Sequence, residues 1–167
     1  MKEISVSAIQ DNLFDVLREK WALVTAGTEE NCNTMTVSWG GFGIFWNKPV
    51  ATIYIRPQRY TKEFIDKEKT FSISVLPEEF REALKLCGSQ SGRDVDKFQK
   101  AGITPAFEEG TPYIAESNLV MVCRKLCEGD IDPATFSDKQ YDDVNYPNKD
   151  YHHYYIAEIE KVLVAEA

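Results

Sequence analysis

The sequence contains no apolar run approaching the ~20 residues that a membrane-spanning helix needs, which points away from a membrane protein. It has no surplus of basic residues either. Asp and Glu outnumber Lys and Arg by 27 to 19, a formal charge of −8, so the chain lacks the basic face that nonspecific nucleic-acid binding requires. The start, Met1-Lys2-Glu3-Ile4-Ser5-Val6, has neither the basic segment, the apolar run nor the small-residue cleavage site of a signal peptide. Its four cysteines are then better read as reduced thiols than as a disulfide framework, and a cytoplasmic protein is expected. No Gly-x-Gly-x-x-Gly follows a strand-like run, which removes the usual sign of a Rossmann nucleotide site. Internal repeats, linkers and repeated βαβ alternation are likewise missing.

At 167 residues the chain is the size of one ordinary domain, expected to span 1–167 and to bury roughly 70% of its unfolded surface. Asn12 begins a short helical pattern with Leu13, Val16 and Leu17 on one side. Residues 21–26 read as a strand, 27–31 as a polar turn and 34–39 as the next strand, which Gly40, Gly41 and Gly43 interrupt. A β-rich run covers 50–55. Thr61 is placed to cap a short helix carrying Phe64 and Ile65. Residues 71–75 alternate with period two, as a half-buried strand does. Pro77 opens a helix in which Phe80, Ala83, Leu84 and Cys87 recur at helical spacing until Gly88 stops it. Asp94 is the expected cap of another, with Gly102 at its end. Residues 119–123 and 154–164 read as closing strands, and the segment between them, 128–151, as polar and turn-rich. A mainly β domain with short helices inserted between strands favours an antiparallel barrel over a doubly wound sheet.

Three stretches carry chemistry. In Arg56-Pro57-Gln58-Arg59-Tyr60-Thr61, a guanidinium and the amides of a helix start can meet a phosphate through charge-assisted hydrogen bonds. The plainer reading is that Thr61 only caps and Arg59 is solvated, and Glu63 at the same helix end opposes an anion. Asn33-Thr34-Met35-Thr36-Val37-Ser38 offers backbone groups and hydroxyls at a strand edge, although these are ordinary strand and turn residues. Ser89-Gln90-Ser91-Gly92-Arg93-Asp94 is explained as helix punctuation alone, with Arg93 and Asp94 a local ion pair. Trp39 and Trp46 suit core or interface packing. Cys123, Cys127 and His152 are the raw material of a zinc site, but a strand places the two thiols ~13 Å apart unless it bends.

The order and spacing of these stretches, with Ser91-Gly92-Arg93-Asp94-Val95-Asp96-Lys97-Phe98, resemble the flavin reductase-like, flavoredoxin-type FMN-binding proteins over roughly residues 15–165. The resemblance implies an FMN-binding split β-barrel, a Greek-key-like antiparallel barrel that holds FMN at a homodimer interface. It implies the FMN phosphate at Arg59, Tyr60 and Thr61 with Arg56 as a further contact. Ring and ribityl contacts fall to Asn33, Thr34, Met35 and Ser38, and approach to the cofactor to Ser89, Ser91 and Gly92. His152, six residues before Glu158, matches the family's histidine before an aromatic strand, where it would bind a nicotinamide or donate a proton; His153 is the alternative, as is a surface role. The implied activity is hydride transfer from NAD(P)H to flavin and onward electron transfer to a small-molecule or protein acceptor. The other reading is a non-enzymatic FMN electron carrier, a flavoredoxin.

Overall fold

Strand β2 (Ala22–Gly27) pairs with β3 (Cys32–Val37) through the polar turn expected between them, and together they form one end of a curled sheet. The computed structural model describes residues 1–166. The further strands are β1 (Lys2–Ile4), β4 (Gly40–Phe45), β5 (Lys48–Ile55), β6 (Thr70–Val75), β7 (Pro105–Glu108), β8 (Thr111–Ile114), β9 (Leu119–Asp130) and β10 (His153–Val164). The helices are α1 (Leu13–Asp15), which continues as a wider turn to Lys20, α2 (Tyr60–Lys67), α3 (Arg81–Ser89), α4 (Lys97–Ala101) and α5 (Gln140–Asn145).

The main sheet runs β3-β2-β6-β9-β10-β5-β4, every pair antiparallel, with β1 added beside the end of β10. Its edge strands β3 and β4 are consecutive in sequence, joined only by Ser38 and Trp39. Three Cα steps from Val37 to Gly40 reach at most about 11 Å, whereas seven flat strands would hold the edges about 29 Å apart. The sheet must curl until its edges nearly meet. The barrel so formed encloses Val24, Met35, Ile53, Ile55, Phe71, Ile73, Met121 and Tyr155, and α2 adds Phe64 and Ile65. A second cluster, Leu23, Ala83, Leu84, Cys87, Ile103 and Ile114, lies beneath α3 and β8.

Several local expectations change. The three glycines do not interrupt a strand. They lie in β4, paired with β5 across a two-residue turn in which Trp46 and Asn47 both take positive φ, 49° and 58°, the geometry that matches strand twist. Gly40 is required there, since a Cβ would come within 2.6 Å of Thr52 O. β6 is buried on both faces rather than one: the unforeseen hairpin β7–β8 covers its serines, with Ser72 Oγ donating to Pro112 O (2.6 Å) and Ile114 N donating to Ser74 Oγ (3.2 Å). α3 runs through Gly88 to Ser89, and Gly88 instead packs on Thr36. Asp96, not Asp94, caps α4 by accepting from Gln99 N (3.1 Å), while Gly102 closes it in the left-handed region as expected. α2 starts earlier than expected, with Arg59 as its N-cap, so Thr61 is a buried helical residue and not the cap. Segment 128–151 contains the end of β9 and α5. Among the described residues no helix is long and apolar enough to cross a membrane.

Candidate functional site

The barrel's seam opens into a cleft of about 250 Å³. Residues 35–39 form one wall, and Tyr54, Arg56, Arg59 and His152 complete it. A second cleft of about 500 Å³ shares Ser38, Trp39, Tyr54 and His152 and extends over Phe14, Gly40, Ile131 and Tyr146. Topology explains the convergence: the seam residues 38–39 join the two edge strands, Tyr54 and Arg56 lie at the end of β5, and His152 leads into β10, the neighbour of β5. Since Thr34 O points to the free edge of β3, where Lys97 reaches it, alternation turns the amides of Thr34 and Thr36 to that edge as well.

Arg59 donates to Gly88 O (2.7 Å) and Cys87 O (3.1 Å), and Lys97 Nζ to Thr34 O (2.8 Å) and Cys87 O (3.0 Å). Both cations thus sit on carbonyls at the C-terminus of α3, and among the described residues neither has a carboxylate partner within ion-pair distance. Burial lowers the affinity of each for its proton. Lys97 is pushed down to about 8, first by burial and then by the nearby Arg59 charge, and Arg59 is lowered for the first of those reasons. A buried lysine and a half-buried arginine, neither paired with a carboxylate, suit an anion. Arg56 differs: it pairs with Asp150 (2.7 Å) and donates to Asn145 O (2.9 Å), so its charge is already engaged by a carboxylate. Glu63, the apparent obstacle to an anion, is taken by Arg93, which also lies over Tyr60; Arg93 therefore pairs with Glu63 and not with Asp94.

Asn33 Nδ2 donates to Thr61 Oγ1 (2.9 Å), joining β3 to α2, and both residues are buried. Gly92 lies directly against this pair, for a Cβ there would fall 2.3 Å from Asn33 Oδ1. Asn33, Tyr60 and Gly92 line a separate cleft of about 310 Å³ with Lys97, its rim made acidic by Glu29, Glu30 and Asp96. The hydroxyl of Ser89 returns to Lys85 O (2.8 Å), and that of Ser91 accepts from Arg93 N (3.2 Å), so both are engaged locally. Of the expected contacts, the seam cleft gathers Met35, Ser38, Arg56, Arg59 and His152. Asn33, Tyr60 and Gly92 line the separate cleft, Thr34 and Thr61 are buried, and Ser89 and Ser91 line neither.

His152 is buried, with Nδ1 2.9 Å from Tyr146 Oη and its ring against Trp39 (centroids 5.2 Å). Its pKa is pushed down to about 4 by burial and by the Arg56 charge, so the imidazole is neutral at pH 7 and is a hydrogen-bonding group there rather than a charged acid. His153 sits on Asp130 (2.7 Å) and against Tyr155, as the alternation of an extended chain requires, and does not line either cleft. The zinc grouping does not assemble. A bulge near Leu126 intervenes between Cys123 and Cys127, Cys123 is fully buried with its thiol pushed up by desolvation, and no described group of three or more His, Cys, Asp or Glu could hold a metal. Sequence reasoning missed Tyr54 and Tyr146, and gave Lys97 no role of its own. Only Lys97 left a signal, as the one lysine in the downstream motif.

Residues 17–167 match the flavin reductase like domain. Among curated proteins, the high molecular weight rubredoxin of Moorella thermoacetica is 40% identical over 82 residues, 47% of this chain, and the match spans about a third (34%) of that relative's length. Among solved structures, the FMN-binding protein from Thermus thermophilus with bound p-hydroxybenzaldehyde superposes with a TM-score of 0.69 at 21% identity, covering 100% of this chain and 83% of the other. Flavoredoxin of Desulfovibrio vulgaris (Miyazaki F) gives 0.68 at 23% identity, covering 99% and 78%. The common fold is the split β-barrel.

Proposed function

The chain belongs to the flavin reductase-like domain family, and from that membership we propose that it is an FMN-binding oxidoreductase that moves a hydride from NAD(P)H to the flavin and passes electrons to a small-molecule or protein acceptor. The observation that carries this reading is the pair of cations without carboxylate partners beside the free edge of β3: half-buried Arg59 in the seam cleft and buried Lys97 in the neighbouring cleft, both on Cys87 O. Bound FMN would supply the electron-accepting ring, which is the hard part of the chemistry.

This chain's residues would then do simpler work. Arg59, Lys97 and the amides at the start of α2 hold the phosphate, with Tyr60 and Thr61 shaping that end. The outward amides of Thr34 and Thr36, with Asn33, Met35 and Ser38, bind along the ring and ribityl chain, and Gly92 lets the chain approach Asn33 closely. Ser89 and Ser91 border the cofactor only if their local hydrogen bonds are exchanged. Neutral His152 places a nicotinamide by hydrogen bonding and does not serve as a strong acid, while Trp39 and Tyr54 keep water from the seam. Arg56 is assigned to anchoring the segment that carries His152 rather than to phosphate.

The exposed Ile44 (74%) and Trp46 (63%) on the open β4 edge support a homodimer that covers this face. Free thiols throughout agree with a cytoplasmic setting. A second reading, an FMN electron carrier serving a partner protein, draws on the fold shared with a flavoredoxin and the sequence shared with a rubredoxin. One experiment separates them. Anaerobic mixing of FMN-loaded protein with NADH or NADPH should bleach the flavin absorbance within seconds; bound flavin that stays oxidised refutes the oxidoreductase and leaves the carrier. Failure to bind FMN at all refutes both.

A further inference from the structure

Tyr146 lies in the acid-rich excursion 131–152, yet is only 8% exposed. Phe136 stacks on its ring at 6.0 Å, Tyr151 leans on it at 5.0 Å, and the Arg56 guanidinium lies 5.1 Å from its centroid. Arg56 also grips the preceding carbonyl, Asn145 O, and the Asp150 carboxylate, to which Gln58 donates as well (2.7 Å). Ile131 N donates to His152 O (2.9 Å), so the two ends of the excursion are tied together. The result is a phenol whose ring is held by three neighbours, with its hydroxyl 2.9 Å from Nδ1 of His152. Trp39 and Tyr54 hold the same imidazole from the cleft side, at 5.2 and 6.5 Å. Among the described residues Nε2 of His152 has no hydrogen-bond partner.

We propose that Tyr146 is a positioning residue: its hydroxyl donates to Nδ1 of His152, holds the ring in the Nε2–H tautomer and in its orientation, and leaves Nε2–H as the donor that meets a nicotinamide in the cleft. This rests on the oxidoreductase reading given above. A neutral imidazole has one donor and one acceptor nitrogen, so whatever fixes Nδ1 also decides what Nε2 offers. The low proton affinity of His152 agrees with this arrangement, since the charged and titratable groups around it are Arg56 from the end of β5, Asp150 from the excursion and the phenols of Tyr54 and Tyr146.

The test uses the full chain loaded with FMN, as wild type, Tyr146→Phe, His152→Ala and the double variant. Tyr146→Phe keeps the ring beneath Arg56 and removes only the hydroxyl. The expected result is unchanged FMN stoichiometry, a loss of about fivefold in kcat/KM for the nicotinamide from one neutral hydrogen bond, and little further loss when the change is added to His152→Ala. Long-range 1H–15N spectra supply a readout apart from turnover, and are simple to assign with only two histidines. Wild type should show His152 as a single neutral tautomer with or without FMN, and Tyr146→Phe a mixture. Unchanged 15N shifts in Tyr146→Phe overturn the proposal, as does an equal kinetic loss in the His152→Ala background. If wild-type flavin is not reduced by either nicotinamide, the oxidoreductase reading falls, and the 15N shifts alone decide whether Tyr146 sets the tautomer.

Discussion

Replacing Lys97 by Met removes a buried charge whose effect can be worked through. In the folded chain its pKa falls from the ordinary 10.5 to about 8, which makes the charged form unfavourable by about 3 kcal/mol relative to the unfolded chain. The unfolded state holds this proton more tightly, so the penalty is fully present below pH 8 and fades as pH rises toward 10.5; stability gains with pH in that window. From the two values, the penalty is about 3 kcal/mol at pH 7, about 2 at pH 9 and about 1 at pH 10. Cysteines oppose this trend. Burial pushes Cys87 up to about 11 and Cys123 higher, so above pH 9 the unfolded chain loses thiol protons that the folded one keeps, and stability falls. The quantity to follow is therefore the difference between wild type and Lys97→Met, measured by urea unfolding of flavin-free protein. Met also forfeits the bonds to Thr34 O and Cys87 O, which offsets the difference by a constant and leaves its slope with pH to the two pKa values. Expected is a wild-type stability that gains about 1 kcal/mol on the variant between pH 7 and pH 9. A difference that stays flat or moves the other way refutes the burial argument. If Lys97 also faces the FMN phosphate, binding at pH 8.5 should take up protons, seen as a buffer-dependent heat in calorimetry that vanishes in the variant.

Arg59→Ala should weaken FMN binding about tenfold to a hundredfold, the worth of one charge-assisted contact, and fluorescence quenching that gives wild-type affinity would remove Arg59 from the site. Gly92→Ala drives a methyl group into Asn33 Oδ1 and should break the Asn33 to Thr61 hydrogen bond. A loss of about 1 kcal/mol and a drop of about 2–4 °C in melting temperature is expected, and an unchanged melt contradicts the close approach. Ile44→Asp places a charge on the face assigned to the dimer; light scattering should then report single chains, whereas wild type that is already monomeric with FMN bound rules the interface out.

Much of the barrel was legible because its strands obey a local rule. The period-two run around Phe71 and the helical spacing of Ala83, Leu84 and Cys87 announce themselves without reference to distant residues. β4 does not: Gly41 and Gly43 have open space where a Cβ would stand, and the strand is specified by its hairpin with β5. β9 extends through the polar stretch 124–130 because β10 pairs with it, and β7–β8 is a hairpin whose prolines obscure its pattern. Of the residues lining the candidate cleft, Arg59 and His152 stand in segments that the motif picks out. Tyr146 and Tyr54 do not, since only the closing of the sheet brings them to the same imidazole. The expected cap at Thr61 failed for a local reason, the turn at Pro57 and Gln58 starting the helix before it.

The two-residue connection between the sheet's edges makes the curl of the sheet and the shape of the candidate cleft a single variable. In most barrels a loop at the binding end can lengthen without disturbing the wall, so new specificities accumulate there by insertion. Here an added residue between Val37 and Gly40 would let the edges drift apart by up to about 3.5 Å, moving Trp39 away from His152 and slackening the whole curl at once. Variation at this seam is therefore confined to substitution, and relatives that accept different substrates should differ in the side chains at the positions of Ser38 and Trp39 while keeping their number.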